Sequence, residues 1–270
     1  MHNFKSMNTI CKYGLLLAVA VFALYACKQQ SDEALTFETF EKQQQIENTA
    51  EEFRLDMRVE LPVKGRSKAV CDSVRKQLMQ LIFGIVKPNV APQQLLQLYF
   101  DSAYAGYKRD REAIGNVKVA FDPFHEQMDG TVTLMTDSLL CYDLQTDTYY
   151  GGAHSQTTFN SYVFDLLTGC RLTEADLFLP EVDEQLLQLL SDCFVRELGE
   201  AFRGVKIMPN GNFTIIDEGL LYRINAYDLQ EACVADNVDL LLPAADVLPL
   251  MKPNTVVSDY LKQHITNAIH

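Results

Sequence analysis

The sequence predicts an α+β protein of two subdomains, with helices packed on mixed, mainly antiparallel sheets. Three observations carry that prediction. Phe53–Val63, FRLDMRVELPV, puts Phe53, Leu55, Met57, Val59 and Leu61 on alternate positions, the period of a strand with one buried face. Two apolar stripes of helical spacing follow it directly. From Asn116 onward strand-like runs dominate, interrupted by one strong helical stripe over Glu181–Phe202. A strand, two helices and then strands is an order that lets helices cover one face of a sheet.

The N-terminal part reads as export and attachment. Lys5 and Lys12 precede the apolar run Tyr13–Ala26, which is shorter than the ~20 residues of a spanning helix. Its end, Leu24-Tyr25-Ala26-Cys27, resembles a bacterial lipobox, with Cys27 as the lipidated first residue of the mature chain. Residues 1–26 are then a signal peptide; an uncleaved membrane anchor is the alternative. The next stretch, 27–48, is rich in Gln and Glu and poor in large aliphatics, so it is predicted to be a flexible tether. Ser31-Asp32-Glu33 resembles the short acidic signals that send lipoproteins of Bacteroidota to the cell surface. The expectation is an extracytoplasmic lipoprotein at the outer membrane or cell surface.

The rest is predicted to divide into an N-terminal α+β subdomain, 49–145, and a C-terminal one, 146–270. Ser67 caps a helix from Lys68 to about Val86, with Val70, Val74, Leu78, Leu81, Ile82 and Ile85 on one face. Pro88 stops it. Pro92 suits the first turn of the next helix, whose stripe is Leu95, Leu96, Tyr99, Phe100, Ala103, Tyr104 and Tyr107. Short Val117–Phe121 and long Thr131–Leu144 read as strands. Thr157–Leu166 reads as an antiparallel neighbour of the latter, across a connection holding YYGGAH. Thr168-Gly169 is a turn, and Thr173 caps a helical turn in Leu172–Phe178. Pro180 opens the Glu181–Phe202 helix. Pro209-Asn210-Gly211 lies between Val205–Ile207 and Phe213–Ile216, and Asn-Gly between apolar runs predicts a hairpin. Leu220–Ile224 and Val238–Leu242 add strands; Ala244–Met251 and Val257–Ile269 close the chain as helical segments.

Charge and cysteine usage narrow the function. The net charge is −13, or −15 once Lys5 and Lys12 leave with the signal, so there is no electrostatic basis for nucleic-acid binding. Lys108-Arg109 and Arg111 are interrupted by Asp110 and followed by Glu112, the composition of a solvated helix face. Of seven cysteines, those beyond Cys27 are Cys71, Cys141, Cys170, Cys193 and Cys233. Their wide spacing selects no disulfide partners and forms no metal-binding pattern, and no cofactor is expected. Cys71 and Cys193 lie on apolar helix faces and read as buried free thiols.

Three patterns in order carry a resemblance. They are Tyr149-Tyr150-Gly151-Gly152-Ala153-His154; Phe164-Asp165-Leu166-Leu167-Thr168-Gly169 with Leu172–Phe178; and Asp217–Leu229, DEGLLYRINAYDL, with Leu242-Pro243. Over Tyr149–Met251 the chain resembles the RsiV-like C-terminal domain family of envelope lipoproteins, a domain of unknown function. The family also occurs in lysozyme-sensing anti-sigma factors and beside the catalytic domain of the peptidoglycan deacetylase PdaC. The segment before it resembles the small domain that precedes that family. The resemblance implies a binding or sensing module, with a protein such as lysozyme or a cell-wall glycan as ligand.

The candidate site is Tyr149, Tyr150, Gly151, Gly152 and His154. As structure, the glycine pair would make a tight turn that the histidine locks. As a recognition surface, the tyrosines would flank the polar run Ser155–Thr158. As a catalyst, His154 would need an orienting carboxylate and a nucleophile or water within reach. No nucleophile motif surrounds it, so no catalytic residue is assigned. The expected function is therefore non-enzymatic binding at the envelope; the alternative is an envelope hydrolase or an accessory to peptidoglycan modification.

Overall fold

A computed structural model describes residues 33–47, 52–84, 90–114, 124–151, 154–232 and 236–268. Among these, one six-stranded sheet runs in chain order: β1 (Thr36–Glu47), β2 (Glu52–Lys64), β3 (Phe124–Met135), β4 (Leu139–Tyr149), β5 (Gln156–Asp165) and β6 (Cys170–Leu172). Its pairs are antiparallel except β2–β3, which is parallel. That pair needs a crossover, and α1 (Lys68–Phe83) and α2 (Pro92–Ile114) provide it. The Ser67 side chain accepts from Val70 N, and Gly84, in the left-handed region at φ 64°, ends α1 at Phe83, a little before the expected Val86. Beyond β6 come the short α3 (Glu174–Leu177), then α4 (Asp183–Leu198), and a second antiparallel sheet of β7 (Phe213–Ile216), β8 (Gly219–Ile224) and β9 (Val238–Pro243). Short α5 (Ala244–Val247) and α6 (Val256–Ala268) follow. The α+β class and the helices on mixed, mainly antiparallel sheets are as the sequence predicts.

Two cores share the large sheet. Alternate residues of β4 serve both: Leu140 and Tyr142 pack with α1 and α2, while Leu139 and Cys141 pack with α4 and the second sheet. This explains the unbroken apolar run Leu139–Tyr142, since a strand buried on both faces shows no alternation. Burial pushes the Cys141 thiol up to about 11. Cys71, Cys141, Cys170 and Cys193 are free thiols, and Cys71 and Cys193 are buried. Cys233 lies outside the described residues.

Four sequence expectations are corrected. Thr36–Glu47 is an edge strand rather than part of a tether. Its composition hides this because few of its side chains, Phe40 chiefly, are buried; main-chain pairing with β2 along its whole length holds it. The boundary between 145 and 146 falls inside β4, and the sheet continues across it. Thr131–Leu144 is two strands, turned where Leu139 N bonds the Thr136 hydroxyl and Thr136 N bonds the Leu139 carbonyl. Val205–Ile207 forms no strand against β7: Ile207 N is held by the Ser191 hydroxyl of α4 at 3.1 Å, and Gly211 N by Glu174 at 2.7 Å. Val117–Phe121, like Cys27 and the signal segment, lies outside the described residues.

The upper half of β5 lacks a strand neighbour on its β6 side, since β6 pairs only with Val163–Asp165. Side-chain amides replace that neighbour. Asn212 donates to Phe159 O (2.7 Å) and accepts from Ser161 N (2.8 Å). Asn225 accepts from Phe159 N (2.8 Å) and donates to Phe159 O (3.2 Å). Asn237 donates to Thr157 O (2.9 Å) and accepts from Ala226 N (2.8 Å). Asn212 and Asn225 thus each offer β5 the donor and acceptor that a partner strand would have offered, and Asn237 a donor. Arg223 crosses the same joint to Asp143 at 2.6 Å. Arg223 and Asn225 of the Asp217–Leu229 pattern, with Asn212 and Asn237 outside it, therefore stitch the second sheet to the first.

Candidate functional site

The β4–β5 connection sits where three elements end together. β3 begins at Phe124 beside the end of β4, with His125 opposite Tyr149 and Glu126 opposite Thr148. Because side chains alternate across a strand, His125, Asp147, Tyr149 and Thr157 fall on one face, and Glu126, Thr148 and Gln156 on the other. The second face is the one that α1 and α2 cover lower down.

On the first face, His125 Nε2 lies 2.8 Å from Asp147 Oδ1, and the Thr157 hydroxyl donates to Asp147 Oδ2 at 2.6 Å. Burial works to raise the Asp147 carboxyl, but bonds from Thr157, His125 and Ser155 outweigh it and hold the group below its ordinary range. A depressed carboxyl contributes stability above its unfolded value and loses it as pH falls through the folded one. The stability gap between wild type and Asp147→Asn is therefore expected to open as pH rises through the acid range to above the ordinary Asp value of about 4, measured by urea midpoints. A gap that stays constant would show that the ionised carboxylate contributes nothing.

On the second face, Glu126 is 4% exposed and accepts two tyrosine hydroxyls, from Tyr99 of α2 and from Tyr150 at 3.1 Å. Burial, then the Glu126 charge, pushes both phenols well above their usual value. Such a paired, hydrogen-bonded carboxylate is one of the few ways to keep an acid inside. Tyr150 itself is 47% exposed, so its ring faces solvent while its hydroxyl is tied down.

The predicted site residues thus separate. Tyr149 is 4% exposed, stacks on the His125 ring with centroids 5.9 Å apart, and meets Phe124 at 6.3 Å. It is therefore buried at the end of the sheet, next to Phe124, which itself meets Tyr107 of α2 at 5.0 Å, and does not lie on the open surface. Gly151 adopts φ 90°, a conformation that suits glycine. Gly152 lies outside the described residues. His154 is exposed, and its Nδ1 lies 2.8 Å from Ser155 O rather than at a carboxylate. At this connection the histidine that meets a carboxylate is His125, which the sequence-predicted site does not include. Asp147, Glu126 and Tyr99 were missed altogether. Only the strand register brings them together.

The other two patterns serve the framework. Gly169, at φ 74°, presses against Val70 and Ser73 of α1, and its carbonyl accepts from Ser73 and Gln77 at 2.8 Å each. Thr173 and Asp176 form a capping box on α3. Among the described residues, no group of three or more His, Cys, Asp or Glu is placed to hold a metal, and no helix is long and apolar enough to cross a membrane. Two clefts of about 530 and 520 Å³ flank α4, lined by residues such as Ser191 and Arg203, and Phe178 and Pro209, away from this connection.

No family model and no curated protein matches the sequence. Solved structures do match. A DUF3298 family member from Bacteroides fragilis NCTC 9343 superimposes with a TM-score of 0.74 at 20% identity, over 86% of this chain and 99% of that one. A DUF3298 family protein from Pseudomonas aeruginosa PAO1 gives a TM-score of 0.56 at 12% identity, over 83% and 97%. The alignments span nearly the whole of both neighbours, so both layers and their joint belong to one architecture. The fold of this chain is that of the DUF3298 structures, a domain of unknown function.

Proposed function

We propose that this chain is a non-enzymatic binding or sensing module of an envelope lipoprotein, held to the membrane by lipid on Cys27. The attachment rests on the Leu24–Cys27 lipobox resemblance, and the binding role on the RsiV-like order of motifs. One observation carries the choice of surface: the Tyr150 ring is half exposed while its hydroxyl is anchored on the buried Glu126 carboxylate. An aromatic held in one orientation before its ligand arrives loses little freedom on binding, which suits an interface anchor. His154, four residues further along the same connection, is exposed as well. The acidic chain would draw a basic protein such as lysozyme by long-range attraction, and a cell-wall glycan would need no such steering.

Calorimetry of the full chain in detergent tests the reading, with lysozyme and peptidoglycan fragments at low salt. Tyr150→Ala/His154→Ala is expected to weaken binding of at least one of them by about tenfold or more, roughly 1.4 kcal/mol. The absence of any binding by wild type at low salt would overturn it. Tyr149→Ala is unsuitable as a probe of contact, because it removes a buried ring.

A further inference from the structure

One polar surface remains without a task. On the helix-side face of the β4–β5 pair, the opposed residues change character along the strands. Leu140/Phe164 and Tyr142/Tyr162 lie over the first core, as does Leu144. Beyond them on the same face come Asn160, the pair Thr146/Thr158 and the pair Thr148/Gln156. All five are half-buried. The side chains of Thr146, Gln156, Thr158 and Asn160 make no hydrogen bond to any described residue. Thr148 reaches only the Gln156 carbonyl, at 3.5 Å. A sheet face that a helix covers reads as apolar, and one that faces bulk water usually carries charge. This one carries neither, but a block of neutral donors and acceptors of fixed spacing. At its upper end the same face carries Tyr150, whose hydroxyl is pinned on Glu126.

From this juxtaposition we infer that the Thr146/Thr148/Gln156/Thr158 shelf, walled by the Tyr150 ring, is a subsite for a neutral, polyhydroxylated ligand, a glycan chain. The inference deepens the binding reading above and rests on it. Hydroxyl and carboxamide groups can each donate and accept, which matches sugar hydroxyls that do the same. A rigid phenol ring offers its face to the apolar C–H side of a sugar. None of the shelf residues is cationic, and the carboxylates that act on Tyr150 at its end are Glu126 and Asp110, so an anionic ligand is disfavoured. Arg171 does not alter this, since its guanidinium is stacked on the Tyr162 ring at 5.0 Å. Partly shielded polar groups without partners among the described residues lose little when a ligand hydroxyl replaces their water.

The test titrates the full chain in detergent with a β-1,4-linked N-acetylglucosamine tetramer and, separately, with maltotetraose, by calorimetry. Saturable binding of at least one is expected. Thr146→Val/Thr158→Val keeps the strand-forming shape and deletes both hydroxyls, so the fold and its Tm should hold while affinity falls about tenfold, close to the worth of one good hydrogen bond. If neither saccharide binds, or if binding ignores the valine pair, the inference is overturned. Should lysozyme bind in a manner sensitive to Tyr150→Ala/His154→Ala but indifferent to the valine pair, with no saccharide binding, the binding-module reading stands and the glycan subsite falls.

Discussion

Asn212→Ala is expected to destabilise the protein by about 2–4 kcal/mol, because it strips a donor from Phe159 O and an acceptor from the buried Ser161 N–H. Ser161 is 1% exposed, so water has little access to its orphaned amide. Asn225→Ala is expected to cost a similar amount through Phe159 N. The double substitution should exceed the sum of the singles. Phe159 O accepts from both carboxamides, at 2.7 and 3.2 Å, so each single variant leaves it one donor and the double variant leaves none. Against a total stability on the order of 5–15 kcal/mol, the double variant should be at the edge of folding. Urea unfolding followed by far-UV circular dichroism measures this. Asn212→Asp serves as control: it retains an acceptor for Ser161 N but sets a carboxylate against a carbonyl, so it should be no better than alanine. Single-variant losses under about 0.5 kcal/mol would mean that Asn212 and Asn225 contribute little to joining the two sheets.

Gly130→Ala is the second large effect. A methyl group at this position would lie far inside van der Waals contact with the Tyr142 hydroxyl and 3.0 Å from Tyr142 Cζ. Tyr142 is fully buried, in a close-packed core where a large ring has nowhere to go. Overpacking of this kind costs about 1–3 kcal/mol. Tyr142→Phe is expected to be nearly neutral, since that hydroxyl lies beside the Glu60 backbone without a hydrogen bond of normal geometry. Placed together, Gly130→Ala and Tyr142→Phe should recover most of the loss, because the worst clash is with the deleted oxygen. The coupling read from this double-mutant cycle should be at least about 1 kcal/mol. A coupling near zero would show that β3 shifts to accommodate the methyl and that Gly130 serves another purpose.

The residues that define the candidate site show why sequence reading reached only part of it. Tyr150 and His154 stand in one short, unusual stretch and could be singled out by composition. Their partners could not. Glu126 and Asp147 fall between the strands the sequence predicts, and only the register of β3 and β4 places His125 against a carboxylate 22 positions away. Tyr149 and Tyr150 are adjacent and identical in type, yet one is buried and the other half exposed, because Tyr149 is the last residue of β4 and Tyr150 begins the turn beyond it. Nothing in the pair Tyr-Tyr tells which is which. The Asp217–Leu229 pattern was legible as a motif, but its work as a joint appeared only when Asn225 met Phe159, 66 positions earlier.

What the sequence by itself determined was local: the α1 cap at Ser67, the stripes of α1, α2 and α4, the alternation of β2, and the turn at Gly169. These depend on spacings of a few residues, where one periodicity or one backbone angle decides the outcome. The tertiary structure alone decided that Thr36–Glu47 is a strand, that Thr131–Leu144 turns back on itself, and that one sheet runs through the boundary expected at 145–146. An edge strand is stabilised by a ladder to another segment, and a strand's register by what lies across from it. Those energies belong to pairs of distant residues, so no window along the chain contains them.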